Sequence, residues 1–182
     1  MKLQMKKTGD SMIPVQIVNG DLDIKNINVT DLKSVLECVN QSEDSLKALG
    51  RKEEFQIEDI KERYFETLVN SLEYFLGIYK NEKLVGIIKG RLENINEPEL
   101  WVLSFIIIKE YREAGIGTQV IEDIENYFKT KYSVKQINAV VMFENKRAQQ
   151  FWKNNGYKPT RAADFSNEGS AGKMIIFEKK GV

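Results

Sequence analysis

The stretch from Ile107 to Thr118, IIKEYREAGIGT, constrains this chain most, because an apolar run ends in an Arg-x-x-Gly-x-Gly turn that opens a helix. A glycine has no β-carbon, so its backbone can approach an anion closely and adopt positive φ, letting successive N–H groups point inward. The new helix adds unpaired N–H donors and the positive end of its dipole. Arg112 can bring a full charge to the rim, or simply be solvated. Two glycines near a helix start also describe a plain tight turn, so the flanks matter. Glu99 to Ile108 reads as a strand. Beyond Gly117, Val120, Ile121, Ile124 and Phe128 fall at helical spacing, with Glu122 and Asp123 early and Lys129 and Lys131 late.

Spacing separates the known phosphate-binding turns. A Walker loop needs four residues between its glycines and a following Lys-Ser/Thr, which is absent. A dinucleotide turn needs a third glycine where Val120 stands and an acid about twenty positions later, where Ile137 and Asn138 stand. The pattern left, with Tyr111-Arg112 before the glycines, resembles the acyl-CoA-binding signature of the GNAT superfamily of N-acyltransferases. Asn145 to Tyr157, NKRAQQFWKNNGY, resembles that family's later Asn-x-x-Ala helix. Its physics is readable alone: Asn145 is a good N-cap, Ala148, Phe151 and Trp152 share an apolar face, and Gly156 suits a left-handed C-cap.

The resemblance implies an α/β fold of α+β type: a mixed, splayed central sheet of about seven strands flanked by about four helices. The sheet would open between Leu100–Ile108 and Gln136–Met142. The resemblance also implies acetyl-CoA as co-substrate. Backbone of Phe105, Ile106 and Ile107 would run along its pantetheine arm, and Arg112, Glu113, Ala114, Gly115, Ile116, Gly117 and Thr118 would surround the pyrophosphate. Asn145 would meet the cofactor arm, although capping its own helix explains it equally well. Trp152 would also border the cofactor, and it stands where many members have a tyrosine that protonates the leaving thiolate. Its indole N–H has negligible acidity, so that role is not carried over.

Bulk properties fit one domain. A chain of 182 residues with 42% hydrophobic residues can bury one good core. Lys+Arg and Asp+Glu are both 27, which gives no reason to expect nucleic acid or an acidic membrane. The single cysteine, Cys38, rules out an internal disulfide and fits a reducing compartment; beside Leu36 and Val39 it reads as a buried thiol. With no histidine, the usual zinc ligand and neutral-pH base are missing, and no metal is expected. No apolar run in Met1–Gly20 suits a signal peptide or a span, so the expectation is a cytoplasmic monomer or homodimer with residues 1–18 a flexible or extra N-terminal segment.

Along the chain, Leu22, Ile24 and Ile27 suggest a first strand, and Thr30 and Asp31 begin a helix through Val39. Ser42–Glu54 reads as a loop with a short helix, and Glu58–Asn70 as an amphipathic helix. Phe75–Tyr79 and Leu84–Arg91 form a hairpin. After the glycine-turn helix come a strand at Gln136–Met142, the Asn145 helix, a short strand near Tyr157 and a last strand at Met174–Glu178. Thr160–Lys173, rich in Ala, Gly, Ser and Asn, reads as a long loop.

Acyl transfer to an amine needs a held donor, a neutral amine and stabilisation of the developing oxyanion. A lysine-like amine with a pKa of about 10.4 costs about 4.6 kcal/mol to deprotonate at pH 7. The glutamate base of some relatives falls on Val140, and the mid-strand carboxylate of others on Leu103 and Ser104. Glu93, Glu97 and Glu99 read as a solvated turn, and Tyr157 as a packing aromatic. The catalytic residues stay unassigned, with water held by main-chain carbonyls or Ser104 as a relay. Two functions follow from the resemblance. One is acetyl transfer to a primary amine of a small molecule or peptide by direct attack; the other is a non-catalytic acyl-CoA-binding module. The acceptor region would be Thr30–Asn70 and Thr160–Lys173, where Glu43, Asp44, Glu53, Glu54 and Asp164 can attract a cation or simply be solvated.

Overall fold

The computed structural model describes residues 12–93, 96–112, 114–167 and 170–181. Among the described residues, eight strands form one sheet in the order β1-β2-β3-β4-β5-β6-β8-β7. They are β1 Gln16–Asn19, β2 Leu22–Asn26, β3 Glu73–Lys80, β4 Lys83–Glu93, β5 Glu99–Ile107, β6 Gln136–Met142, β7 Lys158–Asn167 and β8 Ser170–Lys180. All neighbours run antiparallel except β5 and β6. Five α-helices among the described residues accompany them: α1 Leu32–Asn40, α2 Glu43–Ala48, α3 Ile57–Leu68, α4 Ile116–Tyr132 and α5 Lys146–Asn154.

Local chemistry starts these helices where they start. The Ser42 hydroxyl accepts the Ser45 N–H at 3.2 Å to open α2, and Asp59 accepts the Gln56 N–H at 2.7 Å in the first turn of α3. Alternation along β3 then assigns the two sheet faces. Phe75 faces α1 and α3, whereas Tyr74 meets Phe128 of α4 with ring centroids 5.2 Å apart. Ile116, Val120, Ile121, Ile124 and Phe128 bury the α4 stripe, each worth about 1.5–3 kcal/mol. No helix among the described residues is long and apolar enough to cross a membrane.

The α/β class with a mixed, splayed sheet is as the sequence implies, with eight strands in place of about seven and five α-helices in place of about four. The added strand is β1, which pairs with β2 from Gln16↔Lys25 to Asn19↔Leu22. Within residues 1–18, Met12, Ile13 and Val15 are buried and join the core, and β1 begins at Gln16; residues 1–11 lie outside the described residues. A second correction concerns Thr160–Lys173, read as a loop. Its described residues belong to β7 and β8, paired from Lys158↔Glu178 to Asn167↔Ser170; Glu168 and Gly169 lie outside the described residues. As an edge strand β7 has only one partner, and its first seven residues, KPTRAAD, lack the apolar alternation that marks a half-buried strand.

Candidate active site

The parallel pair that centres the sheet is only partly zipped. β5 and β6 match from Glu99↔Gln136 to Val102↔Ala139 and then part, although β5 continues to Ile107 and β6 to Met142. The parting coincides with a bulge: Lys89 opposes Ser104 but Gly90 opposes Val102, so Leu103 is the extra residue in β5. A bulge bends its strand and ends local pairing. The resulting groove is walled by Leu103, Ser104 and Phe105 on one side and Val140 and Met142 on the other, with Asn145 and Trp152 of the α5 segment and Ala48 of α2 beside it.

Strand alternation decides which main-chain groups face the groove. The Ile108 N–H donates to Val85 O of the β4 side at 2.9 Å, so Ile107 and Phe105 turn their N–H and C=O toward the open edge. By the same alternation Ile106, expected along the cofactor arm, spends its main-chain groups on β4. Its side chain is buried in the core.

At the end of β5 the glycine turn opens α4 as anticipated. Gly115 is the N-cap with φ +77°, and a β-carbon there would meet nothing within 4 Å, so the residue is required by backbone conformation. The first intrahelical bond is Gln119 N–H to Gly115 O at 3.1 Å, which leaves Ile116, Gly117 and Thr118 as amides with no partner in their own helix. Ala114, Gly115 and Thr118 are exposed, whereas the Ile116 side chain is buried. Gly117 serves packing instead: its β-carbon would come within 3.1 Å of the Phe151 ring. Glu113 lies outside the described residues.

Arg112 is engaged by the protein's own groups. Its Nε donates to Ile107 O at 2.7 Å and its Nη2 to Ser45 Oγ at 3.2 Å, with Asp44 3.8 Å from Nη1. The guanidinium thus occupies the groove-facing carbonyl of Ile107 and ties β5 to α2. Asn145 caps α5, accepting the Ala148 N–H at 2.9 Å, while also bordering the groove. Trp152 is buried, with ring centroids 6.2 Å from Phe105 and 4.7 Å from Tyr157.

The candidate acid–base groups have definite partners. The Tyr157 hydroxyl donates to Glu125 at 2.8 Å, and Glu125 is held in turn by Lys179 at 2.7 Å. Burial, reinforced by that carboxylate, pushes the phenol's pKa up. Glu99 accepts from Asn138 Nδ2 at 3.0 Å, at the zipped base of the groove. Burial pushes the Cys38 thiol up to about 12, leaving it protonated and inert. Ser104 is half-buried and borders both the groove and a second cleft under α1 and α3. The Leu103 bulge and the approach of Ala48 were not anticipated, since a bulge has no periodic signature.

The sequence model of the acetyltransferase (GNAT) domain matches residues 24–167. The chain belongs to the GNAT acetyltransferases. It is 27% identical over 141 residues to an uncharacterized N-acetyltransferase of Methanocaldococcus jannaschii, covering 75% of this chain and 88% of that one. Among solved structures this GNAT acetyltransferase is similar to the spermidine N-acetyltransferase of Vibrio cholerae in complex with CoA and spermine. The TM-score is 0.73 at 17% identity, over 90% of this chain and 97% of that one. It is also similar to a Salmonella typhimurium acetyl transferase that modifies the N-terminal serine of ribosomal protein L7/L12. Here the TM-score is 0.77 at 10% identity, over 90% and 97% of the two chains. At these identities the two structures speak for the fold.

Proposed function

We propose that the protein binds acetyl-CoA in the β5–β6 groove and transfers the acetyl group to a primary amine of a small molecule or peptide by direct attack. The observation that carries this reading is the parting of β5 from β6 beside the exposed start of α4. A pantetheine arm offers amide donors and acceptors that match a strand edge, and a pyrophosphate matches unpaired amides at a helix N-terminus. The residues present fit both. Phe105 and Ile107 turn main-chain groups to the open edge, and Gly115, Ile116, Gly117 and Thr118 offer N–H groups around a turn with no β-carbon at its tip.

When bound, acetyl-CoA supplies an acetyl group activated as a thioester. The chain's own part is to align that donor along β5, to exclude bulk water with Phe105 and Trp152, and to hold water at Ser104 through which the amine proton can leave. Arg112 acts on the turn from behind, by fixing Ile107 and α2. The buried single cysteine fits a cytoplasmic setting.

The test is calorimetry with acetyl-CoA followed by a free-thiol assay across an amine panel. Binding with amine-dependent thiol release supports transfer. One observation favours the second reading, a non-catalytic acyl-CoA-binding module: Trp152 replaces the family tyrosine and the Tyr157 hydroxyl is committed to Glu125. Tight binding with no thiol release from any amine would establish that alternative. No binding would remove both.

A further inference from the structure

Residues 41–54, between α1 and α3, form a loop closed at its base. The Asn40 side chain takes both main-chain groups of Phe55: its Nδ2 donates to Phe55 O at 2.8 Å and its Oδ1 accepts the Phe55 N–H at 2.9 Å. A surface loop with joined ends can open and close as one unit. Little holds this one down from within. Of its fourteen residues only Ser45 and Leu46 are buried, and α2 inside it has six residues, too few to persist without tertiary support.

That support comes from the stretch that ends β5 and leads into the glycine turn. At the α1 end, Gln41 Oε1 accepts the Lys109 N–H at 2.9 Å and Gln41 Nε2 donates to Glu110 at 2.6 Å. In α2, the Ser45 hydroxyl accepts from Arg112 Nη2 at 3.2 Å, while Nε of the same guanidinium donates to Ile107 O at 2.7 Å. Asp44 adds little, because its side chain is 72% exposed and stands 3.8 Å from Nη1. Held in this way, α2 packs against β5 and β6 alike, and Ala48 at its end borders the groove. The helix therefore bridges the two parted strands. The groove beneath it has space for about three waters, and a pantetheine arm is several times larger. Its other walls are sheet strands and the capped helix α5; only the Ala48 wall stands on a loop that can leave.

We propose that residues 41–54 are a strap latched across the groove by Arg112 and Gln41, and that acetyl-CoA enters when this latch opens. This rests on the acetyl-transfer reading and adds the step that controls access to its donor site. Opening breaks the bonds of Ser45 and Gln41 to the β5–α4 stretch and lifts Ala48 from the groove, while the Asn40–Phe55 clamp keeps the base of the strap in place. Arg112 can keep its bond to Ile107 O throughout, so the end of β5 stays set while α2 leaves. Closure over the bound donor then excludes bulk water.

Stopped-flow mixing with acetyl-CoA, followed by the fluorescence of Trp152 at the groove, measures entry. The expected rate levels off as acetyl-CoA is raised, at the opening rate of the strap, and Ser45→Ala should raise that plateau about tenfold. Hydrogen exchange of the free protein is the second readout: the amides of α2 should exchange about tenfold faster in Ser45→Ala, with those of α4 unchanged. A rate proportional to acetyl-CoA throughout, a plateau and α2 exchange unmoved by Ser45→Ala, or acceleration of α4 as large as that of α2 would overturn the proposal. If Ser45→Ala fails to fold, Gln41→Ala, at an exposed position, carries the same expectations. Binding at a rate proportional to acetyl-CoA leaves the transfer reading standing without the strap. No binding at all removes that reading and the entry step with it, while α2 exchange still reports the latch.

Discussion

The Tyr74 hydroxyl donates to the Trp101 carbonyl oxygen at 2.9 Å, reaching from β3 to β5 across the backbone of β4. The strand it crosses is Gly90, where a β-carbon would lie 1.8 Å from that carbonyl oxygen and 2.3 Å from the hydroxyl. Because Gly90 sits beside the bulge that parts β5 from β6, this contact helps set the shape of the groove. Gly90→Ala should cost about 3 kcal/mol or more in urea unfolding and weaken acetyl-CoA binding. Tyr74→Phe, which only leaves the carbonyl unpaired, should cost about 1–3 kcal/mol. Equal stability of Gly90→Ala and wild type would contradict the packing.

Gly115 and Gly117 should respond differently to alanine. At Gly115 the side chain would enter open space but force a left-handed backbone, costing about 1–2 kcal/mol. Calorimetry should show weaker CoA binding as the turn relaxes. At Gly117 the conformation is helical and the obstacle is the Phe151 ring at 3.1 Å, so the change should appear in the near-ultraviolet dichroism of the Phe105–Phe151–Trp152 cluster. Identical behaviour of the two variants would refute the distinction.

Cys38 should resist alkylation by iodoacetamide at pH 8 until the protein unfolds, since burial raises its pKa to about 12. Native-state labelling at the rate of a free thiol would show that the site is open. The same burial acts on Tyr74 and Tyr157, whose phenols are held protonated. All three groups ionise more readily in the unfolded chain, which therefore binds fewer protons than the native state at alkaline pH. Their stabilisation is complete below about pH 9 and is lost as pH rises above it, so the melting temperature should fall steeply there.

Two hydroxyls near the groove should separate in kinetics. Ser104→Ala should lower kcat about tenfold with the acetyl-CoA affinity kept, because Ser104 borders the groove. Tyr157→Phe should leave kcat unchanged and cost about 1 kcal/mol of stability, because its hydroxyl serves Glu125. A large loss of kcat in Tyr157→Phe would reverse these roles.

The sequence makes the groove's frame legible because glycine conformations, helix caps and apolar periodicity are local. Gly115 in the left-handed region, Asn145 as a cap and the Val120–Phe128 stripe needed no distant partner. Arg112 is different, since its place depends on Ser45 and Asp44 of a helix far away in the chain. β1 and β7 escape periodicity because edge strands have a single paired side and short or polar runs.

The open edge of β5 is made of peptide groups, and that has an evolutionary consequence. A side-chain replacement at Phe105 or Ile107 alters bulk but cannot delete the Phe105 N–H and C=O or the Ile107 N–H that face the gap; only proline can remove a donor. A ligand gripped in this way would tolerate extensive drift in the side chains around it.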